Sequence, residues 1–265
     1  MNFLHTYLPD PIFWQFSFIA IRWYGLLIFL ALVTCLFLVL YLAKKRGLKA
    51  EQIYDLAFWS VLGGLAGARL YEVFILNWSY YSANLSAIVK IWEGGLAIHG
   101  AILGGAITVW LWAKINRQDF WPLIDLIAVA MPLGQAIGRW GNYFNQELFG
   151  QPTNWPIGIP IAKNLRPLGW ENFIYFQPAF LYESLLNLVL FFSLFWLIRK
   201  KPTQNGAIFI FYLMGYSVIR FLMEFWRLDQ TPMIGFLRWP QAVSLVIFFL
   251  APLFLFRRNI LLKKT

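Results

Sequence analysis

Cysteine, histidine and charge are all scarce in this 265-residue chain, with one cysteine, two histidines and 13% charged residues where a soluble domain carries about 25%. The lone cysteine, Cys35, sits among Leu, Val and Phe, which excludes a disulfide framework and a cysteine-ligated metal. With only His5 and His99 available, a histidine-rich metal centre is excluded too. The aspartates Asp10, Asp55, Asp119, Asp125 and Asp229 are too scattered for the cluster that a metal-dependent lipid enzyme needs. No metal and no cofactor is expected. No serine or cysteine stands beside a base in the pattern of a covalent nucleophile. The first residues lack the basic start and small-residue cleavage site of a removable leader, so the first apolar run is expected to be retained.

What the chain has in quantity is apolar and aromatic surface: 60% hydrophobic residues and 20% aromatic ones, including 14 Trp and 12 Tyr. Trp and Tyr in such numbers suit the two headgroup levels of a bilayer. A helix needs about 20 apolar residues to cross a hydrocarbon core of about 30 Å. Seven segments meet that need, at about 19–42, 53–76, 96–113, 121–138, 179–198, 206–225 and 240–256. The reading is an all-α polytopic membrane bundle, a single domain over residues 1–265. The fourth span contains Asp125 and Pro132 and is expected to be short or kinked. Gly63/Gly67, Gly100/Gly104 and Gly134/Gly138 repeat at the four-residue spacing that lets membrane helices approach closely.

Basic residues follow alternate span ends: Lys44, Lys45, Arg46 and Lys49; Lys114 and Arg117; Arg199, Lys200 and Lys201; Arg257, Arg258, Lys263 and Lys264. The positive-inside rule puts these in the cytoplasm, the N-terminus outside and the C-terminus inside. The net charge of +10 is therefore an orientation signal, and no nucleic-acid partner is expected. The remaining basic residues are mostly arginine: Arg22, Arg69, Arg139, Arg166, Arg220, Arg227 and Arg238, beside Lys90 and Lys163. A guanidinium fork holds phosphate through two hydrogen bonds, so the outer side hints at phosphate recognition. The Pro-, Gly- and Asn-rich stretch at 147–178, with no sign of a core of its own, reads as a cap that starts at about 139 with the polar run described below.

Six ionisable residues fall inside the spans: Arg69, Glu72, Asp125, Glu183, Arg220 and Glu224. At about 2.5–3.5 kcal/mol each, leaving them against lipid would cost about 15–20 kcal/mol, as much as a whole domain's stability of about 5–15. They must pair, meet water or face an interior. Arg69 with Glu72, and Arg220 with Glu224, share helix faces; an internal ion pair is the plain reading of each, a functional role is the preferred reading of Arg220 with Glu224, and the two readings stand level for Arg69 with Glu72. Tyr216, Arg220, Glu224 and Arg227 form a polar stripe toward the outer end of span six.

The densest polar run beside apolar spans is Gly138-Arg-Trp-Gly-Asn-Tyr-Phe-Asn-Gln-Glu-Leu-Phe-Gly150. Collected at the same level are Arg139 and Arg220 as phosphate-competent cations, Asn142 and Asn145 as amide donors, His99 and Glu147 as bases, and Tyr24 and Tyr216 as hydroxyl donors. Such a set suits an anionic phospholipid gripped by its phosphate while an acid–base group serves a second substrate. A transporter or flippase of an anionic lipid or organic anion is the competing reading. It calls for a polar path through the whole bilayer and two similar halves, whereas the polar residues are biased outward and no repeat is visible.

That run resembles the signature of the bacterial phosphatidylglycerol:prolipoprotein diacylglyceryl transferases. The likeness extends through Arg22-Trp-Tyr-Gly25, Gly64-Leu-Ala-Gly-Ala-Arg69, Trp92-Glu-Gly-Gly95 with His99-Gly100, Leu181-Tyr-Glu183 and Gly215–Arg227. It implies seven spans, an outward-facing site in the bacterial inner membrane, and two partners from that membrane: phosphatidylglycerol and the lipobox cysteine of a prolipoprotein signal peptide. The reaction implied is transfer of the diacylglyceryl group to that cysteine with release of glycerol phosphate. Carried over by position, Arg139 is the lipid-binding arginine with Asn142, Glu147 and Gly150 as companions. Arg220 is the second essential arginine, His99 the family histidine and Tyr24 the functional tyrosine of span one. Asn145, Tyr216, Glu224 and Arg227 complete the expected substrate-binding set. Two positions depart from the pattern, Ala101 after His99-Gly100 and Gln177 before Pro178, where the family often has glycine and histidine.

Overall fold

The computed structural model describes residues 3–17, 19–200, 205–229 and 231–262; Lys201, Lys263 and Lys264 of the basic clusters lie outside the described residues. The described residues are mostly helical: α1 (Phe3–Thr6), α2 (Trp23–Lys45), α3 (Ala50–Tyr71), α4 (Trp78–Ala83), α5 (Ile98–Ile115), α6 (Phe120–Phe144), α7 (Ala179–Lys200), α8 (Ala207–Met223) and α9 (Trp239–Leu262). Five spans are long and apolar enough to cross a membrane: α2, α3 with the π-helical turn that carries it to Leu76, α5, α6 and α7. The helix α8 and the Trp239–Phe254 part of α9 are apolar but shorter. Large apolar side chains such as Phe29, Phe37, Phe58, Ile107, Phe192 and Phe249 stand exposed on these helices, as surface that meets lipid requires.

Among the described residues three antiparallel strand pairs lie outside the helices, none of them expected from the sequence. They are β1 (Ile12–Phe16) with β2 (Ile19–Arg22), β3 (Ile159–Pro160) with β4 (Tyr175–Phe176), and β5 (Met233–Ile234) with β6 (Leu237–Arg238). Each is short and satisfies backbone groups where the chain turns between helices.

The chain contacts divide it into two compact units, residues 38–126 and residues 1–37 with 127–265. In the first, α3 lies against α5 with almost no side chain between them. A Cβ added at Gly67 would stand 2.8 Å from the Gly104 Cα, and one at Gly104 would stand 2.9 Å from the Gly67 Cα. The Gly63/Gly67 and Gly100/Gly104 spacing thus does what such spacing does in membranes, bringing two backbones into contact. Near the other end of the pair, Asp55 accepts hydrogen bonds from Trp59 Nε1 at 3.1 Å and Trp112 Nε1 at 2.5 Å.

Arg69 and Glu72 do not form the expected ion pair. The buried Arg69 guanidinium donates to backbone carbonyls of the following loop: Nε to Ile88 at 2.8 Å, Nη1 to Gly94 at 2.7 Å and Gly95 at 2.8 Å, and Nη2 to Ala87 at 2.5 Å. Tyr81 covers its face, 5.0 Å away. Glu72 instead accepts Asn77 Nδ2 at 2.6 Å across the π-helical turn. Irregular backbone at membrane depth needs internal partners, and one arginine with a fork of donors supplies several at once.

In the second unit, α6 is neither short nor finished at residue 138. It runs through Pro132 to Phe144 and carries the first half of the Gly138–Gly150 run as helix. Arg139 and Asn142 stay helical because their side chains find partners on the same and neighbouring elements. The cap also has a small core after all: Tyr143, Phe149, Ile159, Ile161, Phe176 and Phe180 bury one another, with Trp140 and Phe144 against them. Its apolar residues are spread too thinly along the loop to show a period, and two of them, Tyr143 and Phe180, come from the ends of α6 and α7. The N-terminal α1 closes over it, with His5 Nδ1 2.8 Å from the Gly158 carbonyl and its ring stacked on Tyr175.

Replacing Gly67 by leucine should force α3 from α5 and cost at least the ~1–3 kcal/mol of ordinary overpacking. Thermal unfolding in detergent should show the loss as a lower midpoint, with Gly105→Leu, where no atom lies within 4 Å of an added Cβ, as the neutral control.

Candidate lipid-phosphate site

The site grows from α6, α7 and α8. Arg139, three residues before Asn142, sits on the face of α6 turned toward α7. Its Nη2 meets Glu183 Oε1 at 2.6 Å, its Nη1 donates to Asn142 Oδ1 at 3.1 Å, and Tyr216 of α8 is a further hydrogen-bond neighbour. Glu183 is 3% exposed, so the pair is buried on its acidic side. Breaking such a pair from one side costs about 3–5 kcal/mol.

The expected pairing on α8 is present. Arg220 Nη2 lies 2.6 Å from Glu224 Oε1, and the fully enclosed Glu224 carboxylate also faces Arg238 Nη1 at 3.2 Å and Arg227 Nε at 3.9 Å. Arg238 fixes the hairpin after α8: it donates to the carbonyls of Glu224 at 2.8 Å and Arg227 at 2.9 Å, to that of Asp229, and to Thr231 Oγ1 at 2.9 Å. Arg227 holds Asp229 through Nε at 2.8 Å and Nη2 at 3.1 Å. Burial works to raise the Asp229 pKa, but Arg227's hydrogen bonds and charge outweigh it and hold the carboxyl below its ordinary range.

Three guanidinium groups, Arg220, Arg227 and Arg238, thus share the carboxylates of Glu224 and Asp229, and the Arg139–Glu183 pair lies near enough for its charge to be felt at Arg220. Among the described residues, Arg139 Nε and Arg220 Nη1 are buried N–H groups with no hydrogen-bond partner. A buried donor left unmade is costly, and each of these cationic donors is able to bond an oxygen of an anion.

The Gly138–Gly150 run supports Arg139 from the other side. Glu147 Oε1 accepts Asn142 Nδ2 at 2.7 Å and Asn145 Nδ2 at 3.4 Å, so Glu147 orients the amide whose oxygen holds Arg139. Gln146 and Leu148 on either side of it have φ of 51° and 55°, a left-handed backbone that costs about 1–2 kcal/mol per residue for side chains with a Cβ. Gln146 is held there by donating to the Pro9 carbonyl at 2.7 Å and accepting the Ala162 N–H at 2.7 Å. Gly150 is a crossing point: its N–H donates to the Gln177 carbonyl at 2.8 Å and it bridges to Arg227. An added Cβ there would stand 3.0 Å from Gln177 Cβ and 3.1 Å from the Trp226 carbonyl oxygen. Gly150 therefore positions the cap beside Arg227, and its place in the site is through backbone.

Tyr24 packs its ring on the bare backbone of Gly141, where an added Cβ would meet Tyr24 Cδ2 at 2.6 Å. His99 belongs to the other unit, exposed in the first turn of α5 with Tyr71 as its ring neighbour. Arg139, Asn142, Asn145, Glu147, Gly150, Tyr216, Arg220, Glu224 and Arg227 are brought together within one unit. Glu183, Arg238, Asp229 and Gln146 join them, and the sequence reading had given none of these four a role in the site. For Glu183 the signal was present: a carboxylate in an apolar span needs a cation.

The described residues thus make a multi-span helical protein with unpaired guanidinium donors and an enclosed carboxylate hub. Comparison with known proteins says which class it is. Residues 11–257 match the family model described as prolipoprotein diacylglyceryl transferase. Phosphatidylglycerol–prolipoprotein diacylglyceryl transferases align over most of both chains: that of Acaryochloris marina is 46% identical over 90% of this chain and 86% of its own length. That of Thermosynechococcus vestitus is 44% identical over 92% and 90%, and that of Symbiobacterium thermophilum 41% over 90% and 88%. The chain belongs to the prolipoprotein diacylglyceryl transferase family and is a transferase of lipoprotein biosynthesis.

Gly150→Ala should push the cap strand away from Gln177 and Trp226. Limited proteolysis should cut residues 150–178 faster, and transferase activity should fall by about tenfold or more, the equivalent of the ~1–3 kcal/mol typical of overpacking.

Proposed function

We propose that this chain moves the diacylglyceryl group of phosphatidylglycerol onto the thiol of a prolipoprotein's lipobox cysteine and releases glycerol phosphate. In this reading it lies in the bacterial cytoplasmic membrane with seven spans, α8 and α9 among them. The N-terminus is outside, the C-terminus cytoplasmic, and the site opens on the outer face. The alternation of basic clusters supports that orientation. The observation that carries the substrate reading is the pair of unpartnered donors, Arg139 Nε and Arg220 Nη1, in a family whose relatives act on phosphatidylglycerol.

The phosphodiester is held between Arg139 and Arg220, with Tyr216 between the two guanidinium groups in sequence and in charge contact with both. Asn142 and Glu147 fix Arg139, while Glu224, Arg227 and Arg238 fix Arg220. The peptide thiol attacks the glyceryl C3 carbon; the S–C bond forms, the C–O bond breaks, and the bonding pair leaves on a phosphate oxygen. Arginine donors placed where that charge develops act in the transition state more than in the ground state, which is the larger part of such catalysis. A thiol of pKa near 8.5 is only about 3% ionised at pH 7, so a base helps, typically by about 10²- to 10⁴-fold. The family resemblance, and no contact with the arginines, makes His99 the residue to test as that base. Glu147, engaged with Asn142, is the orienting partner.

Reconstitution into vesicles with labelled phosphatidylglycerol and a lipobox peptide should release glycerol phosphate only when the peptide keeps its cysteine; release that ignores the cysteine, or none, overturns the transferase reading. In the same assay His99→Gln should lower turnover at pH 7 by at least about 10²-fold and recover as pH approaches the thiol's own pKa. A flat, near-normal profile removes His99 from the base role.

A further inference from the structure

Glu183 stands apart from the other carboxylates of the site. It touches Arg139 through a single oxygen at 2.6 Å, and Arg220 and Tyr216 are its other electrostatic neighbours. Glu224 and Asp229 are engaged with the arginines of α8 and the hairpin after it. Glu183 is therefore the carboxylate that sets the charge beside Arg139 Nε, the donor left without a partner among the described residues. Four guanidinium groups against Glu183, Glu224 and Asp229 leave one positive charge. Glu147 acts through Asn142 from an exposed position, where solvent screens it.

One net positive charge in an enclosed site matches one kind of phosphate. A phosphodiester carries a single negative charge, whereas a phosphomonoester carries about −1.5 to −2 at neutral pH. The cost of taking an ion out of water rises with the square of its charge, and a buried charge left uncompensated is strongly unfavourable. Breaking the C3–O bond of the lipid converts the first kind of phosphate into the second, since the bonding pair stays on the phosphate oxygen and the thiol proton goes to the base. The group that fits the site before the reaction no longer fits after it.

We propose that Glu183 is a positioning and specificity-determining residue: it holds Arg139 by Nη2 and cancels enough arginine charge that the site retains a monoanionic phosphodiester and lets the dianionic phosphomonoester go. This rests on the reading of Arg139 and Arg220 as phosphate ligands. A purely structural counter-ion would stabilise Arg139 without discriminating between the two phosphate classes.

The test is competition in vesicles, with full-length protein transferring from labelled phosphatidylglycerol to a lipobox peptide. The competitors are phosphatidylmethanol, a monoanionic diester with no glycerol headgroup, and phosphatidic acid, a monoester. In the unaltered protein phosphatidylmethanol should compete better, and the reverse order overturns the proposal without need of any variant. Glu183→Gln keeps the side-chain shape and adds one positive charge, and should move the ratio of the two inhibition constants toward phosphatidic acid by roughly tenfold. Glu183→Asp keeps the charge but shortens the reach to Arg139. It should lower kcat and leave the ratio where it was. A Glu183→Gln protein with lower kcat but the original ratio makes Glu183 a structural counter-ion only. Arg139→Gln is the separate control: if it leaves competition by both lipids unchanged, the reading of Arg139 as a phosphate ligand fails, whatever Glu183 does.

Discussion

An arginine on an apolar helix is tolerated only where its charge is answered, and the Arg139–Glu183 contact is the answer around which the site is assembled. It joins α6 to α7 at the level where Tyr216 and Arg220 of α8 come alongside. With Nη2 committed to Glu183 and Nη1 to Asn142, the guanidinium is left with one buried, unpartnered donor, Nε. The rest of the unit serves that geometry. Glu147 fixes Asn142, Gln146 ties the turn around Glu147 to the N-terminal segment and the cap, and Gly150 carries the chain across to Arg227. A run that looks like a cluster of reactive groups is in large part the mounting of a single guanidinium.

The helices were the legible part of the fold because hydrocarbon imposes length and composition on anything that crosses it. All seven expected segments are helices, with ends displaced by a few residues, and five stand out by length and apolarity alone. The discrepancy that bears on the site is at α6, which goes on past 138 through Arg139, Asn142 and Phe144. Polar residues read as a loop when their partners are unknown, and the partner that answers the charge of Arg139, Glu183, lies 44 residues away in sequence. The strand pairs and the cap core escaped for a related reason. Each is two to five residues long, too short to display a period, and is held by contacts to remote segments.

Residue type predicted the site better than role. Arginines in apolar spans and beside polar runs, Arg139, Arg220 and Arg227, fall in one compact unit, and the four-residue spacing of Arg220 and Glu224 is met by their ion pair. The same rule misled at Arg69 and Glu72. The three-residue spacing allowed an ion pair, but the π-helical turn after Tyr71 sends Glu72 to Asn77, and the carbonyls of residues 87–95 compete successfully for the guanidinium. Acceptors from backbone are invisible in a sequence, so an arginine that folds a loop looks the same as one that pairs with a side chain.

Arg69 bears on how the chain is made as well as on how it is held. Its carbonyl partners, from Ala87 to Gly95, are all synthesised after it. A guanidinium on α3 has no acceptor within its own helix, and the loop that follows is folded around it. Gly95, whose φ is +72° and whose missing Cβ leaves room for Arg69 Nη1, closes that ring of acceptors three residues before α5 begins. The placing of α5 against α3 thus runs through a side chain: the second helix of the glycine pair follows directly on a loop anchored to an arginine of the first.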